Sequence, residues 1–272
     1  MNRAGRLPGL LRRKPQIAVT ESYGLRTLHL GGEAIQSAMR IDDPYALALD
    51  YTRCMTAFLL FHPEPRAALM IGLGGGSLPK FFHRRLRRVR TRVVELDARV
   101  VAAAREQFAL PPDDERLSIE IGDGVQALAP ECCDVLAIDG FDDGEQVASL
   151  ASGDFYDACF LALAEPGIMA VNFMSDDPKL DVYVRRLERA FGGAVLTMPA
   201  LTDPNLIAFA VKGGPKRIAW DALRRRAARL EARLGLPFRR YVGALKRTNA
   251  GTARDLIIVP DADSRTPKGG SK

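Results

Sequence analysis

An α/β fold with a doubly wound, mostly parallel sheet is what this sequence predicts, and three observations predict it. Short apolar runs alternate with helix-forming stretches across residues 67–213. A glycine-rich segment, Ile71-Gly72-Leu73-Gly74-Gly75-Gly76-Ser77, closes the first run. Acidic residues stand at or just beyond the ends of three later runs, at Glu95, Asp123 and Asp139. Strands that alternate with helices need right-handed crossovers, which lay parallel strands side by side and cover both sheet faces with helices.

Composition bounds the rest. The 272-residue chain is 47% hydrophobic and 26% charged, enough for one well-buried α/β domain and a smaller appendage. No segment offers the roughly 18 uninterrupted apolar residues of a membrane span. The basic start, residues 3–14, is not followed by a signal-peptide core. A cytoplasmic protein without a membrane partner is expected. Cys54, Cys132, Cys133 and Cys159 form no C-x-x-C pair and have no histidine at ligand spacing. Neither a metal site nor a disulfide framework is expected. His29, His62 and His83 are isolated in the sequence. The formal charge of +6 could serve nucleic acid, but arginine-rich helices with a solvated basic face are the simpler reading.

Taken in order, residues 1–15 mix Arg, Gly and Pro without apolar periodicity and are expected to be a flexible basic N-terminus. Residues 16–62 read as a small N-terminal β-hairpin domain with a linking helix. Apolar alternation over 16–41 is broken by Tyr23-Gly24 and Gly31-Gly32, which suit hairpin turns. Residues 45–61 are helix-friendly until His62-Pro63-Glu64-Pro65 stops them. Residues 63–214 form the Rossmann-like domain. Its expected strands are 67–73, 91–96, 117–121, 134–139 and 168–173, with helices from 78, over 98–108, near 125–128, over 154–164 and over 179–191. Glu165-Pro166-Gly167 marks a turn, and 194–200 with 206–213 form a closing pair of strands. A seven-stranded, mostly parallel sheet that ends in a hairpin is the class I methyltransferase-like elaboration of the Rossmann fold. Residues 215–258 read as a C-terminal helical extension around an amphipathic helix over 220–234, and 259–272 as a flexible tail.

In an open parallel sheet, ligands bind beyond the carboxyl ends of the strands, so residues there are the candidates. Gly72, Gly74, Gly75 and Gly76 allow a sharp turn and let backbone approach a ligand without a Cβ in the way. Glu95 lies about twenty residues past the glycine loop, where a carboxylate can accept from both hydroxyls of an adenosine ribose. Gly122-Asp123-Gly124 can offer an acid to an adenine amino group. Asp139-Gly140-Phe141-Asp142-Asp143 gathers acids that would attract a cationic sulfonium and a cationic amine, and one of them can take the proton an attacking amine must lose.

With these residues assembled, the stretch over 20–212 resembles the spermidine synthase (polyamine aminopropyltransferase) family, in its atypical bacterial members. Ala34-Ile35-Gln36, His62-Pro63-Glu64-Pro65, Glu95, Gly122-Asp123-Gly124 and Asp139 with Asp142 are the counterparts of its motifs. The resemblance implies that Gln36 touches the cofactor, Glu95 the ribose, Asp123 the adenine, and Asp139 with Asp142 the amine and its departing proton. It also implies the reaction: aminopropyl transfer from decarboxylated S-adenosylmethionine, as co-substrate, to a diamine such as putrescine. The family's frequent dimers make a homodimer the assembly expected by analogy.

There are departures as well. The family's glycine-loop Asp, which holds the aminopropyl ammonium, is replaced by Gly75; Asp50-Tyr51-Thr52 stands where a Tyr-His/Gln-Glu segment is usual; and Asp143-Gly144-Glu145-Gln146 replaces a proline-rich gate. Two alternatives therefore stand beside the first reading. One is a methyltransferase that uses ordinary S-adenosylmethionine. The other is a non-catalytic relative that binds an adenosine ligand or nucleic acid.

Overall fold

The computed structural model describes residues 16–32, 34–142 and 145–259, and only the backbone at Phe141, Asp142, Glu145, Gln146 and Ala148. It opens with an antiparallel sheet of β1 (Ile17–Ser22), β2 (Leu25–Leu30) and β3 (Ile35–Arg40). The β1–β2 turn uses Tyr23 and Gly24, both at positive φ (50° and 76°), the conformation whose twist matches a two-residue hairpin.

The linking helix is shorter than the sequence predicts. Helix α1 covers only Asp50–Met55 and tightens into a 3₁₀ turn over Thr56–Leu60. Tertiary contacts outweigh the propensity of residues 45–49: Leu47 is buried, and the buried Asp50 carboxylate accepts from the backbone N–H groups of Leu201 and Thr202, which pins the helix start.

The main unit follows in the order β4 (Ala67–Ile71), α2 (Ser77–Arg85), β5 (Arg90–Glu95), α3 (Ala98–Gln107), β6 (Leu117–Ile121), β7 (Cys133–Ile138), a two-residue ribbon β8 (Phe141–Asp142) and β9 (Glu145–Gln146), α4 (Gly153–Ala162), β10 (Leu163–Met174), α5 (Leu180–Ala190), β11 (Val195–Pro199) and β12 (Asn205–Lys212). Seven of these strands make one sheet in the order β11-β12-β10-β7-β4-β5-β6, in which β12 is antiparallel to its neighbours and the other pairs run parallel. This is the methyltransferase-like Rossmann sheet with its terminal hairpin.

Both faces of that sheet are buried, as parallel strands require. Within β4, Ala68 and Met70 join the apolar cluster that includes α2, α3 and residues of α1, while Leu69 and Ile71 join the cluster built with α4 and α5. Beyond the sheet, β13 (Arg217–Ala219) pairs with β14 (Asp255–Ile257), and α6 (Trp220–Leu234) packs with α7 (Phe238–Thr248) against the first cluster through Trp220, Leu223, Phe238 and Tyr241.

Three further boundaries differ from expectation. Residues 125–128 form a turn instead of a helix: Asp123 accepts from the Val125 N–H at 2.9 Å, and four residues are too few to nucleate a helix. The helix expected over 154–164 ends at Ala162, and the Glu165-Pro166-Gly167 turn lies inside β10 as a register shift between Leu163 and Ile168. The strand expected over 67–73 stops at Ile71, because Gly72 turns to φ 95°.

Candidate active site

A cleft of about 610 Å³ opens along the carboxyl edge of the parallel strands. The chain leaves each strand at a fixed height there. Gly72 N–H donates to Val94, Gly122 N–H to Glu95 and Asp139 N–H to Ile71, each to the backbone carbonyl of a neighbouring strand. The loop residues therefore keep sheet register for one step past their strands, and their side chains line one rim.

One half of the cleft lies over β6, β5 and β4. Gly72 has no space for a side chain: a Cβ would sit 2.2 Å from the Asp139 carbonyl oxygen. The glycine lets two strand ends close together below the cleft floor. Glu95 is fixed by two backbone donors, Leu73 N–H to Oε2 and Asp97 N–H to Oε1, both at 2.9 Å. Burial raises its carboxyl above the ordinary range, against the pull of those same donors. Asp123 lines the wall with Gly124, whose Cβ would collide with Ile71. Leu96 and Ile35 line the cleft with 74% and 52% of their surface exposed, leaving apolar surface that a flat ligand could cover. A nucleoside fits this half: apolar walls for a base, an oriented carboxylate for hydroxyls, and glycines for close approach.

At the seam stands Asp139, the first residue past β7. Its Oδ1 accepts from Asn172 Nδ2 at 2.9 Å and its Oδ2 from the Tyr51 hydroxyl at 3.1 Å. Asn172 is buried in β10 and is oriented in turn by Asn205, whose Nδ2 donates to Asn172 Oδ1 at 3.0 Å. Burial lifts the Asp139 carboxyl above its usual range despite both hydrogen bonds, and burial together with the nearby Asp139 and Asp203 charges holds the Tyr51 phenol far above its own. A carboxylate of raised basicity, oriented by an amide and a phenol, is suited to accept a proton from an incoming group.

The structure brings most of the sequence candidates to this cleft. Gln36, from β3, lines it with Gly72, Gly74, Glu95, Asp123, Gly124 and Asp139. Gly75 and Gly76 are not on the lining: a Cβ at Gly75 would meet the Phe108 ring at 2.7 Å and Ser37 Oγ at 2.9 Å, and one at Gly76 would meet Leu110. Those two glycines pack the loop against α3 and the N-terminal sheet instead of facing a ligand. Asp142 lies in β8, but its side chain is outside the described residues, as are Asp143 and Gly144. Sequence reasoning missed Asn172, Asn205 and Asp203, and it undervalued Tyr51. The polar Asn172 in the apolar run IMAVNF and the Asp-Pro-Asn between the closing strands were the available signals.

Among the described lining residues there are five carboxylates, Glu95, Asp97, Asp123, Asp139 and Asp203, and no lysine, arginine or histidine. Among the described residues, Asp97 is the one of these five with a basic ion-pair partner, Arg99.

Comparison with known proteins accords with this geometry. The chain is 38% identical over 246 residues to a polyamine aminopropyltransferase of Chromobacterium violaceum, a match that covers 90% of this chain and 94% of the relative. A probable spermidine synthase from Corynebacterium glutamicum shares the fold, with TM-score 0.66 over 93% of this chain and 99% of that one at 21% identity. A spermidine synthase solved in complex with the transition-state analogue AdoDATO matches at 25% identity and TM-score 0.54, over 72% of this chain and 74% of that one. No family model matches the chain.

Proposed function

Because the chain belongs to the polyamine aminopropyltransferase family, we propose that it moves the aminopropyl group of decarboxylated S-adenosylmethionine onto a diamine such as putrescine. Aminopropyl transfer is its activity; the identity of donor and acceptor is the proposal. The observation that carries it is the charge of the cleft: five carboxylates and no basic side chain among the described lining residues. A donor that keeps its carboxylate would bring a sixth negative group into this field. A decarboxylated donor brings a sulfonium and an ammonium, both attracted. The same argument weighs against methyl transfer from ordinary S-adenosylmethionine.

Glu95 would hold the ribose hydroxyls, Asp123 and Gly124 the base edge, with Leu96 and Ile35 against its faces and Gln36 beside it. Gly72 and Gly74 give the sulfur end its close approach. Asp139, on the cleft lining, would receive the acceptor nitrogen. Its lone pair forms the new N–C bond while the C–S bond breaks, the electron pair neutralises the sulfonium, and the proton lost from nitrogen passes to Asp139. Held by Tyr51 and Asn172, that carboxylate needs little reorganisation during the step. Asp142 is a second acid for the amine in this reading. A cytosolic setting and a homodimer belong to the same proposal.

Calorimetry decides the donor: decarboxylated S-adenosylmethionine should bind more tightly than the carboxylated form, with methylthioadenosine binding as product. The reverse preference would move the reading to methyl transfer. Asp139→Asn should lower turnover by about 10²–10⁴-fold and leave methylthioadenosine affinity intact. Full activity in that variant would remove Asp139 from the chemistry.

A further inference from the structure

Asp203 is an acid on the far side of the cleft from the nucleoside half. It lies in the turn between β11 and β12, at the same edge of the sheet as Asp139 but two strands away, since β12 follows β10 and β10 follows β7. At roughly 4.8 Å per strand, the two acids stand apart by about the reach of a short diamine. They are also held at opposite ends of one residue. The Tyr51 hydroxyl donates to Asp139 Oδ2, and the Tyr51 backbone N–H donates to Asp203 Oδ2 at 2.9 Å.

Charge and direction agree with this spacing. Asp203 Oδ1 accepts from Thr202 Oγ1 at 3.2 Å, so two of its lone-pair sites are used and the rest are open. Neither Asp139 nor Asp203 forms an ion pair with any described lysine, arginine or histidine, and both line the cleft. In-line attack sets the direction. The incoming nitrogen approaches the reacting carbon from the side opposite the sulfur, so the remainder of the acceptor extends away from the nucleoside, toward β10 and β12.

We propose that Asp203 is a specificity-determining residue, whose carboxylate receives the far ammonium of the acceptor and so makes the enzyme select a primary diamine over a monoamine of equal length. The inference rests on the aminopropyltransferase reading and assigns its acceptor class. Asp139 takes the reacting nitrogen, Asp203 the distal charge, and Tyr51 keeps them at fixed separation.

The test compares putrescine with n-butylamine in wild type and in Asp203→Asn, whose amide oxygen can still accept from the Tyr51 N–H. Decarboxylated S-adenosylmethionine is the donor. Wild type should prefer the diamine, and the variant should lose about 30-fold or more in kcat/KM for putrescine while butylamine changes by no more than about twofold. The KM for the donor should stay constant, and an unchanged Tm with unchanged methylthioadenosine affinity establishes that the variant folds.

Equal losses for both amines, or a raised KM for the donor alone, would overturn the assignment. Binding separates this inference from the reading beneath it. In calorimetry on the methylthioadenosine complex, Asp203→Asn should weaken putrescine and spare butylamine whether or not turnover occurs. Selective loss of binding without any transfer would keep Asp203 and sink the activity. Transfer to putrescine with no selective loss in the variant would do the opposite.

Discussion

Tyr51 donates its hydroxyl to Asp139, and a carboxylate stripped of one of two hydrogen bonds becomes easier to protonate. Tyr51→Phe should therefore push the Asp139 carboxyl, already raised by burial, still higher. With Asp139 as the proposed proton acceptor, protonating it should lower the rate, so the acid limb of the pH profile of kcat/KM should move to higher pH in the variant. An unmoved limb would mean that Tyr51 does not tune Asp139. At this scale the sequence was half legible. Asp139, Glu95 and Asp123 could be found because a parallel sheet sends its strand ends to one rim, so position alone nominates them. Asn172, Asn205 and Asp203 stood out only as polar residues within or between apolar runs, which does not assign them to the rim. Asn172 reaches Asp139 across the parallel β10–β7 pair, and Asn205 and Asp203 depend on an antiparallel pairing, Met174 with Asn205, which brings the start of β12 to that same rim. The motif places Gly75 and Gly76 in the loop but cannot show that they pack against Phe108 and Leu110, off the cleft lining.

The glycine loop and the helix caps carry predictions at the scale of the element. Gly72 combines a φ of 95° with no space for a Cβ against Asp139, so Gly72→Ala should cost more than about 2 kcal/mol and weaken methylthioadenosine binding. Denaturant unfolding and calorimetry read the two losses, and a variant of wild-type stability would contradict the close packing of these strand ends. Ser152 caps α4 by accepting from the Phe155 N–H at 3.1 Å. Ser152→Ala should cost about 1 kcal/mol without changing the preference for a decarboxylated donor, since Ser152 is not on the cleft lining. Elements with strong period were legible, and those set by distant contacts were not. The helix expected from residue 45 begins only at Asp50, because its first turn is tied to residues 201 and 202, which no local pattern reveals.

For the whole molecule, the alternation of apolar strands with helices was enough to predict the sheet, because its central strands must be buried on both faces. The buried Lys80 adds a pH signature that alternation cannot show. Its ammonium donates to the Phe108 carbonyl at 2.5 Å, and burial brings its pKa down to about 8. A base depressed in the folded state stabilises above its unfolded pKa, and that contribution is lost as pH falls through the folded value. Wild type should thus gain stability between about pH 8 and 10.5 relative to Lys80→Met, as measured by urea unfolding at the two ends of that window. Equal pH dependence in the two chains would mean that Lys80 is not charged against a penalty. The ties between Asp50 and Tyr51 on one side and residues 201–203 on the other span 151 and 152 positions of chain. During synthesis the partners Asp50 and Tyr51 leave the ribosome early and wait for most of the protein to follow. The nucleoside half of the cleft draws on residues made by then, whereas the wall beside Asp139 is completed only when the last hairpin arrives. The order of synthesis thus leaves the backbone tie of Tyr51, whose hydroxyl orients Asp139, unmade until Asp203 has been added.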